Sequence, residues 1–471
     1  MKGRKDAPSD WGCLVGICFF ILGLGTLLPW NFFMTASLYF QDRLNANVTN
    51  GSDVSSNSKY FNSCMTLLSQ LPLLLFTLLN SILYQRVSEV ARIAGSLVFI
   101  LLLFVFTAVL VKVPMEDLDL FFSITMATIW FINSFGAVVQ GSLFGLVGML
   151  PQKYSAIFMS GQGLAGTFAA MAMLLANASD AGRESAALGY FITPCVGTLV
   201  TLFCYFLLHR LEFARYYLQQ SAKYEAGTTD ELLTAESTAA DDGKLNGHAN
   251  GSVAGGPKKN GVSEEGEQPP DRSQEAFLSL EQVEKKQAKA SIFEVFKKIW
   301  VMAFCVTFVF TVTLSVFPAI TVDVKTSSPD FETVLPGNWN RYFINVCCFL
   351  TFNINDFIGR TVTTFVRWPR KESHLFPLLV VSRVIFIPLL MLCNVQERAY
   401  LPVYFPSDAG FTVIMSLFSI SSGYFVCLSM SYAPQLVEPK DAETAGSLMT
   451  FFLALGLSIG AALSFLLRKL V

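Results

Sequence analysis

Long apolar segments separated by short polar ones constrain this chain more than any other feature of its sequence. Each segment is close to the roughly 20 residues that cross a bilayer core as an α-helix. We count about 11 of them, near residues 12–38, 63–84, 92–112, 119–149, 156–177, 187–208, 296–320, 341–365, 375–393, 409–432 and 446–468. The pattern predicts an all-α membrane protein with about 11 transmembrane helices, embedded in a lipid bilayer.

The composition agrees with this class and excludes several functions. Hydrophobic residues make up 53% of the chain and charged residues 14%, with a mean hydropathy of +0.50. The formal net charge of −2 gives no basic surface for nucleic acid. The ten cysteines form no CxxC pair, and the three histidines lie outside the apolar segments or at their edges. We therefore expect no metal, no cofactor and no disulfide framework.

The distribution of basic residues predicts the orientation of the chain in the membrane. Lys and Arg accumulate on cytoplasmic loops, and here they precede the first segment and follow the second and the eighth: Lys2, Arg4, Lys5, Arg86, Arg92, Arg367, Arg370 and Lys371. This predicts a cytoplasmic N-terminus and, with an odd number of spans, an extracellular C-terminus. Two glycosylation sequons, at Asn47 and Asn50, then fall in the first outer loop, and a third, at Asn177, falls at another outer edge.

Residues 211–292 differ from the rest because they are rich in Gly, Asn, Pro and charge and poor in apolar side chains. Such a composition cannot bury a core and predicts a disordered cytoplasmic linker. The linker separates an N-terminal half, residues 1–210 with spans one to six, from a C-terminal half, residues 293–471 with spans seven to eleven. This 6+5 arrangement is typical of major-facilitator-like carriers, whose two halves move about a central site.

Charged side chains within the eighth and ninth spans are the strongest sign of function. A charge in the middle of a membrane helix costs on the order of 3 kcal/mol on insertion scales, so it usually faces protein or a water-filled cavity. In TFNINDFIGR, Asn353, Asp356 and Arg360 share one helical stripe, and Arg383 enters the next span at a similar depth. Asp356 could therefore pair with either arginine. The group is either a structural ion pair or a donor-rich site for a neutral, hydroxylated molecule.

Other polar residues in the spans allow two interpretations each, and two small-residue stretches indicate helix packing. Gln140 could read one edge of a heterocyclic base or bond a neighbouring helix. Trp30 and Asn31 combine an aromatic face with an amide, although Trp is also common near a membrane interface. The stretches SGQGLAG at 160–166 and GLSIG at 456–460 are interpreted as close-packed helix surfaces.

Four separated motifs carry a resemblance to a known family. They are GLGTLLPWNFF at 23–33, SGQGLAG at 160–166, the Asn-x-x-Asp-x-x-x-Arg of the eighth span, and AETAGSLMTFFLALGLSIG at 442–460. Together they resemble the equilibrative nucleoside transporter family of solute carriers, most of all its plasma-membrane members that also carry nucleobases. The resemblance covers nearly the whole chain except the linker and the first outer loop. It implies a facilitator-like fold of 11 helices and passive, bidirectional movement of nucleosides such as adenosine and uridine.

The same resemblance implies roles for individual residues. Asp356 and Arg360 match the acid and base that contact the ribose hydroxyls, and Gln140 matches the glutamine that reads the base. Further positions match the substrate cavity or the outer gate: Leu27, Trp30, Asn31, Met34, Leu73, Phe317, Pro318, Asn353 and Leu457. Gly136 stands where sensitivity to nucleoside-analogue inhibitors is set. Two departures, Gln70 in place of a cavity methionine and Ser422 in place of an asparagine, leave the preference among nucleosides and nucleobases open.

Three rival functions remain to be compared with a facilitative nucleoside carrier. A proton-coupled or organic-cation carrier of the same superfamily would need an unpaired membrane acid, whereas Asp356 has arginines nearby. An intramembrane hydrolase would need paired acids or a Ser with a His in the membrane, which the sequence does not offer. The expected protein is therefore not an enzyme. A channel is separated from a carrier only by flux measurements.

Overall fold

The computed structural model describes residues 8–35, 40, 43–44, 56–83, 86–113, 117–178, 183–218, 291–327, 342–396, 398 and 400–471. Their secondary structure is helical apart from two isolated β-bridges. The α-helices are α1 Leu14–Thr35, α2 Ser56–Leu83, α3 Ser96–Lys112, α4 Leu118–Gly148, α5 Gln152–Ala178, α6 Arg183–Leu208, α7 Ile292–Val316, α8 Thr351–Val362, α9 Leu375–Ser382, α10 Phe386–Met391, α11 Asp408–Tyr432 and α12 Ala442–Leu470. Two π-helical segments, Ala91–Gly95 and Ile344–Leu350, lead directly into α3 and α8.

The all-helical membrane architecture expected from the sequence is confirmed. Eight segments of the described chain are long and apolar enough to cross a bilayer: Trp11–Met34, Ala91–Lys112, Leu118–Gly148, Gln152–Leu175, Phe191–Leu208, Ile292–Asp323, Asp408–Gln435 and Pro439–Leu470. Leu67–Leu83 and Leu375–Met391 are shorter apolar helices. The count of about 11 spans and their 6+5 division stay predictions.

Several sequence predictions fall on residues that the structure does not describe. Asn47 and Asn50 lie outside the described residues, and so does the side chain of Asn177. Most of the predicted linker, residues 219–290, also lies outside them. At its edges, residues 212–218 are helical and α7 begins at Ile292, so helix occupies the outermost positions of the predicted linker range.

Helices α1 and α5 pack backbone to backbone in the N-terminal half, which we define as α1–α6. A Cβ atom added to Gly23 would lie 2.0 Å from the carbonyl oxygen of Phe158, and one added to Gly161 would lie 2.0 Å from that of Phe20. Only glycine permits so close an approach, and small residues are the usual means of packing helices in lipid. Gly23 of GLGTLLPWNFF and Gly161 of SGQGLAG thus allow α1 to pack against α5. This is the packing role predicted for SGQGLAG.

The two halves meet where α5 crosses α8 and where α12 crosses α2 and α4, among other contacts. At the first, a Cβ on Gly163 would lie 2.9 Å from the Cα of Phe357. At the second, a Cβ on Gly446 would lie 2.3 Å from the carbonyl oxygen of Phe144, and the Asn80 amide donates to the Ser447 hydroxyl at 3.1 Å. These contacts join the N-terminal half to α7–α12, the C-terminal half, around the cavity described below.

Candidate functional site

A cavity of about 260 Å³ lies between the two halves. Its size is slightly below the roughly 300 to 1,000 Å³ typical of small-molecule pockets. Helices α1 to α5 and α7, α8 and α12 contribute its walls: Thr26, Leu27, Pro29, Trp30, Asn31, Ser69, Gln70, Leu73, Ile100, Ile132, Asn133, Gly136, Ala137, Gln140, Gln162, Phe310, Leu314, Arg360, Leu453 and Leu457. The walls are mostly apolar, with amides and one guanidinium among them.

Many of the residues singled out from the sequence meet in this cavity. Eight predicted site residues are among the lining residues: Leu27, Trp30, Asn31, Leu73, Gly136, Gln140, Arg360 and Leu457. They come from five different helices, so their meeting is a result of tertiary packing. Trp30 follows Pro29 in α1, and Leu73 follows Pro72 in α2. Each proline removes one backbone N–H from its helix at the level of the cavity.

Asp356 and Arg360 form a buried ion pair one helical turn apart on α8. The Arg360 Nε donates to Asp356 Oδ2 at 2.7 Å, and each residue is 7% exposed. Arg360 lines the cavity, whereas Asp356 is not among the lining residues. A guanidinium has five N–H donors and no acceptor. Some of these donors bond Asp356 and neighbouring groups. The remaining N–H groups can donate to the hydroxyl groups of a neutral ligand.

Arg383 does not join that pair. Its guanidinium donates to the Ser421 and Thr313 hydroxyls at 3.1 and 3.2 Å, and to the carbonyl oxygens of Val309 and Phe418 at 3.1 and 3.2 Å. It is 2% exposed and lies between α7 and α11. The pairing of Asp356 with Arg383 that the sequence left open is therefore not formed here, because Arg383 is satisfied by neutral oxygens of its own half.

The Gln140 amide is available to a ligand. Its side chain is 6% exposed and lines the cavity. Within the described part of the chain, the structure records no hydrogen bond from this amide to a neighbouring helix, the alternative role considered from the sequence. Gln70 lines the same cavity, and its buried Oε1 also has no hydrogen-bond partner among the described residues. The cavity thus presents two amides that could pair with a heterocyclic base.

The remaining candidate positions lie outside the cavity wall. Asn353 faces α5, where its backbone carbonyl oxygen accepts from the Thr167 hydroxyl at 3.0 Å. Phe317, just beyond the end of α7, stacks on Phe352 with ring centroids 3.9 Å apart, and Pro318 follows it. Met34, near the end of α1, is 36% exposed. Their assignment to substrate contact or to a gate stays a prediction.

Sequence comparison shows which known proteins are similar to this chain. The family described as "Nucleoside transporter" matches residues 126–469. Equilibrative nucleoside transporter 2 of Rattus norvegicus is 52% identical over 480 residues, covering 99% of each chain. Equilibrative nucleoside transporter 1 of Homo sapiens is 46% identical over 484 residues, covering 98% of this chain and 99% of that one.

The chain belongs to the nucleoside transporter family. It is therefore a multi-pass membrane transporter and not an enzyme. This confirms the family inferred from the four sequence motifs.

A solved structure relates the fold of this nucleoside transporter family member to a wider class. The proton:xylose symporter XylE, of the major facilitator superfamily, matches with a TM-score of 0.55 at 12% identity, covering 96% of this chain and 88% of that one. At this identity the likeness concerns the fold alone. The fold is thus similar to that of the major facilitator superfamily, as the resemblance implied.

Gln162 is a polar cavity residue of this nucleoside transporter that was not predicted from the sequence. Gln162 lies in the SGQGLAG stretch, which was interpreted as a packing surface, yet it lines the cavity and is 2% exposed. The flanking Gly161 and Gly163 do serve packing, against α1 and α8 respectively. A large amide between two glycines in a membrane helix was the signal that could have identified it.

Proposed function

We propose that this protein is a facilitative carrier that moves purine and pyrimidine nucleosides in both directions across the plasma membrane by alternating access. The relatives that match over nearly its full length are named equilibrative nucleoside transporters. The observation that carries the proposal within the structure is the Asp356–Arg360 pair, which borders a cavity also lined by the Gln140 amide. Nucleobases are a further candidate substrate class.

The cavity residues divide by the part of the nucleoside that each would contact. Arg360, held by Asp356, donates to the ribose hydroxyls, because a guanidinium can only donate and a hydroxyl oxygen can accept. Gln140 pairs with the edge of the base through both a donor and an acceptor. The apolar walls would enclose the ring faces: Leu27, Trp30, Leu73 and Leu457. Asn31 contributes to the site, as does Asn353 from behind the wall.

The outer end of the pathway and the membrane orientation complete the proposal. Met34, Phe317 and Pro318 form the outer gate, and Gly136 sets the sensitivity to nucleoside-analogue inhibitors. The N-terminus faces the cytoplasm and the C-terminus faces the outside, with 11 spans divided six and five. Glycosylation falls on Asn47 or Asn50. Six plus five spans allow the two halves to rock about the central cavity.

Transport should run downhill only. A coupling proton or cation needs a carboxylate that can accept it, and Asp356 is already engaged by Arg360 at 2.7 Å. No described histidine lies within the eight candidate spans. The protein would therefore equalise nucleoside concentrations across the membrane without concentrating the substrate.

Flux in vesicles containing the purified protein tests this function. With equal uridine on both sides, an inward proton or sodium gradient should cause no accumulation above equilibrium. Unlabelled uridine inside the vesicles should accelerate the entry of labelled uridine, since a carrier returns faster when loaded. Accumulation driven by either gradient would instead support the proton-coupled or cation-coupled alternative. Flux that neither saturates nor responds to internal uridine would indicate a channel.

A further inference from the structure

Gln162 connects the two halves of the protein beside the ion pair of the cavity. Its Nε2 donates to the Thr26 hydroxyl at 3.0 Å, and its Oε1 accepts from an Arg360 terminal nitrogen at 3.5 Å. Thr26 and Gln162 belong to α1 and α5 in the N-terminal half, whereas Arg360 belongs to α8 in the C-terminal half. All three side chains line the cavity.

The direction of each hydrogen bond in this chain of contacts is fixed. The Thr26 hydroxyl donates to the carbonyl oxygen of Gly23 at 2.7 Å, so it is left to accept from Gln162. That assigns the NH₂ group of Gln162 to Thr26 and its oxygen to Arg360. Arg360 can only donate, so it requires an oxygen from Gln162. The amide therefore has one orientation that satisfies both neighbours.

The glycines on either side of Gln162 make these contacts possible. A Cβ on Gly163 would lie 3.1 Å from the Cδ of Arg360, so α8 approaches α5 closely at the arginine. A Cβ on Gly161 would lie 2.9 Å from the backbone nitrogen of Leu24, so α1 is equally close on the other side. The SGQGLAG motif thus places the long Gln162 side chain between α1 and α8, which both approach the backbone of α5 closely.

We propose that Gln162 is a positioning residue for sugar recognition: it holds the Arg360 guanidinium in the orientation that meets the ribose hydroxyls. The proposal rests on the nucleoside transport proposed above. Asp356 fixes the Nε end of the guanidinium and Gln162 fixes a terminal nitrogen, so two points of contact set the plane of the group. Fixing the plane of a guanidinium in advance favours hydrogen bonds to hydroxyls in one geometry.

Discrimination between uridine and 3′-deoxyuridine measures this role. The ratio of their transport efficiencies, kcat/KM, reports the hydroxyl contact and is insensitive to the amount of protein. Gln162→Leu, which is similar in size but has no acceptor, should lower the ratio by about threefold or more, the size of one lost hydrogen bond. Gln162→Glu keeps an oxygen facing Arg360 and should retain more of the discrimination than Gln162→Leu.

A double-mutant cycle separates positioning from direct contact. If Gln162 acts through Arg360, Gln162→Leu should have no further effect on the ratio in an Arg360→Ala background. A further loss in that background would show that Gln162 contacts the sugar itself and would overturn the proposal. Asn355→Leu is the matched control, because Asn355 is an amide on α8 that bonds Ser416 at 3.3 Å and does not line the cavity.

A second variant keeps the test decisive if Gln162→Leu does not reach the membrane. Thr26→Val preserves the shape of Thr26 but removes the acceptor that orients the amide, so it should also lower the ratio. An unchanged ratio in Thr26→Val, or in well-expressed Gln162→Leu, contradicts the proposal. If the wild-type protein does not transport uridine at all, the proposed function itself fails, which is a different outcome from an unchanged ratio.

Discussion

At the scale of single residues, Gln140 and Arg360 should contact different parts of the nucleoside. Gln140 lines the cavity on α4, whereas Arg360 enters it from α8. Gln140→Ala should therefore weaken transport by an amount that depends on the base, while the preference for uridine over 3′-deoxyuridine stays close to that of the wild type. Loss of one or two hydrogen bonds corresponds to about a threefold to a hundredfold lower efficiency. The measurement is kcat/KM for adenosine, inosine, uridine and cytidine.

Equal losses for all four nucleosides would contradict a base-reading role for Gln140. They would point to a role in folding or in the movement of the halves. A comparison with Arg360→Ala sharpens the result, because that variant should lose discrimination at the ribose and should treat the four bases alike.

At the scale of helices, glycines set the distance between α8 and α11. A Cβ on Gly423 would lie 2.2 Å from the carbonyl oxygen of Asp356, and one on Gly359 would lie 2.3 Å from that of Ile420. Because backbone atoms cannot rotate away, Gly423→Ala should force α8 and its ion pair to shift. Overpacking of this kind typically costs about 1 to 3 kcal/mol. We expect a lower melting temperature of the purified protein and slower uridine transport.

Gly189→Ala is the matched control for the change in α11. Gly189 also lies within a helix, and a Cβ there meets no atom of the described residues within 4 Å. Alanine favours a helix over glycine by about 0.5 to 1 kcal/mol, so this variant should melt at the same temperature as the wild type or higher. Equal melting temperatures for the two variants would show that α8 and α11 tolerate a wider spacing.

At the scale of the whole molecule, an ion pair joins the π-helical segment Ala91–Gly95 of the N-terminal half to α12 of the C-terminal half. Arg92 donates to Glu443 at 3.1 Å and to the Ser142 hydroxyl at 3.1 Å, and the arginine is 7% exposed. Alternating access requires such a contact to break and form again in each cycle. Removing one partner leaves the other charge poorly compensated. Arg92→Ala and Glu443→Ala should each slow uridine uptake, by roughly tenfold if about 1.4 kcal/mol is lost.

A variant that carries both Arg92→Ala and Glu443→Ala tests whether the two residues act as a pair or independently. If the charges act together, the protein with both changes should transport no more slowly than the worse single variant. Losses that multiply would show that Arg92 and Glu443 act separately. Uptake is to be divided by the amount of protein at the cell surface, so that poor folding is not counted as slow transport.

Much of the site could be predicted from the sequence because its key relation is local. Asp356 and Arg360 are four residues apart, and the period of the α-helix places such residues on one face wherever the helix lies. The apolar segments likewise predicted helices in a membrane, since a bilayer requires each spanning segment to satisfy its own backbone. The resemblance of four motifs supplied the family, which the comparison of the whole chain confirmed.

Relations between helices could not be obtained in this way. The crossing of α7 and α11 decided that Arg383 bonds neutral oxygens of these two helices and does not compete with Arg360 for Asp356. The crossing of α5 and α8 placed Gln162 at the guanidinium and turned Asn353 towards Thr167. The sequence alone thus determined the class of protein and the neighbours along each helix, because periodicity is a local property. The tertiary structure decided which helices supply the partners of each charge, because that depends on how whole helix surfaces pack.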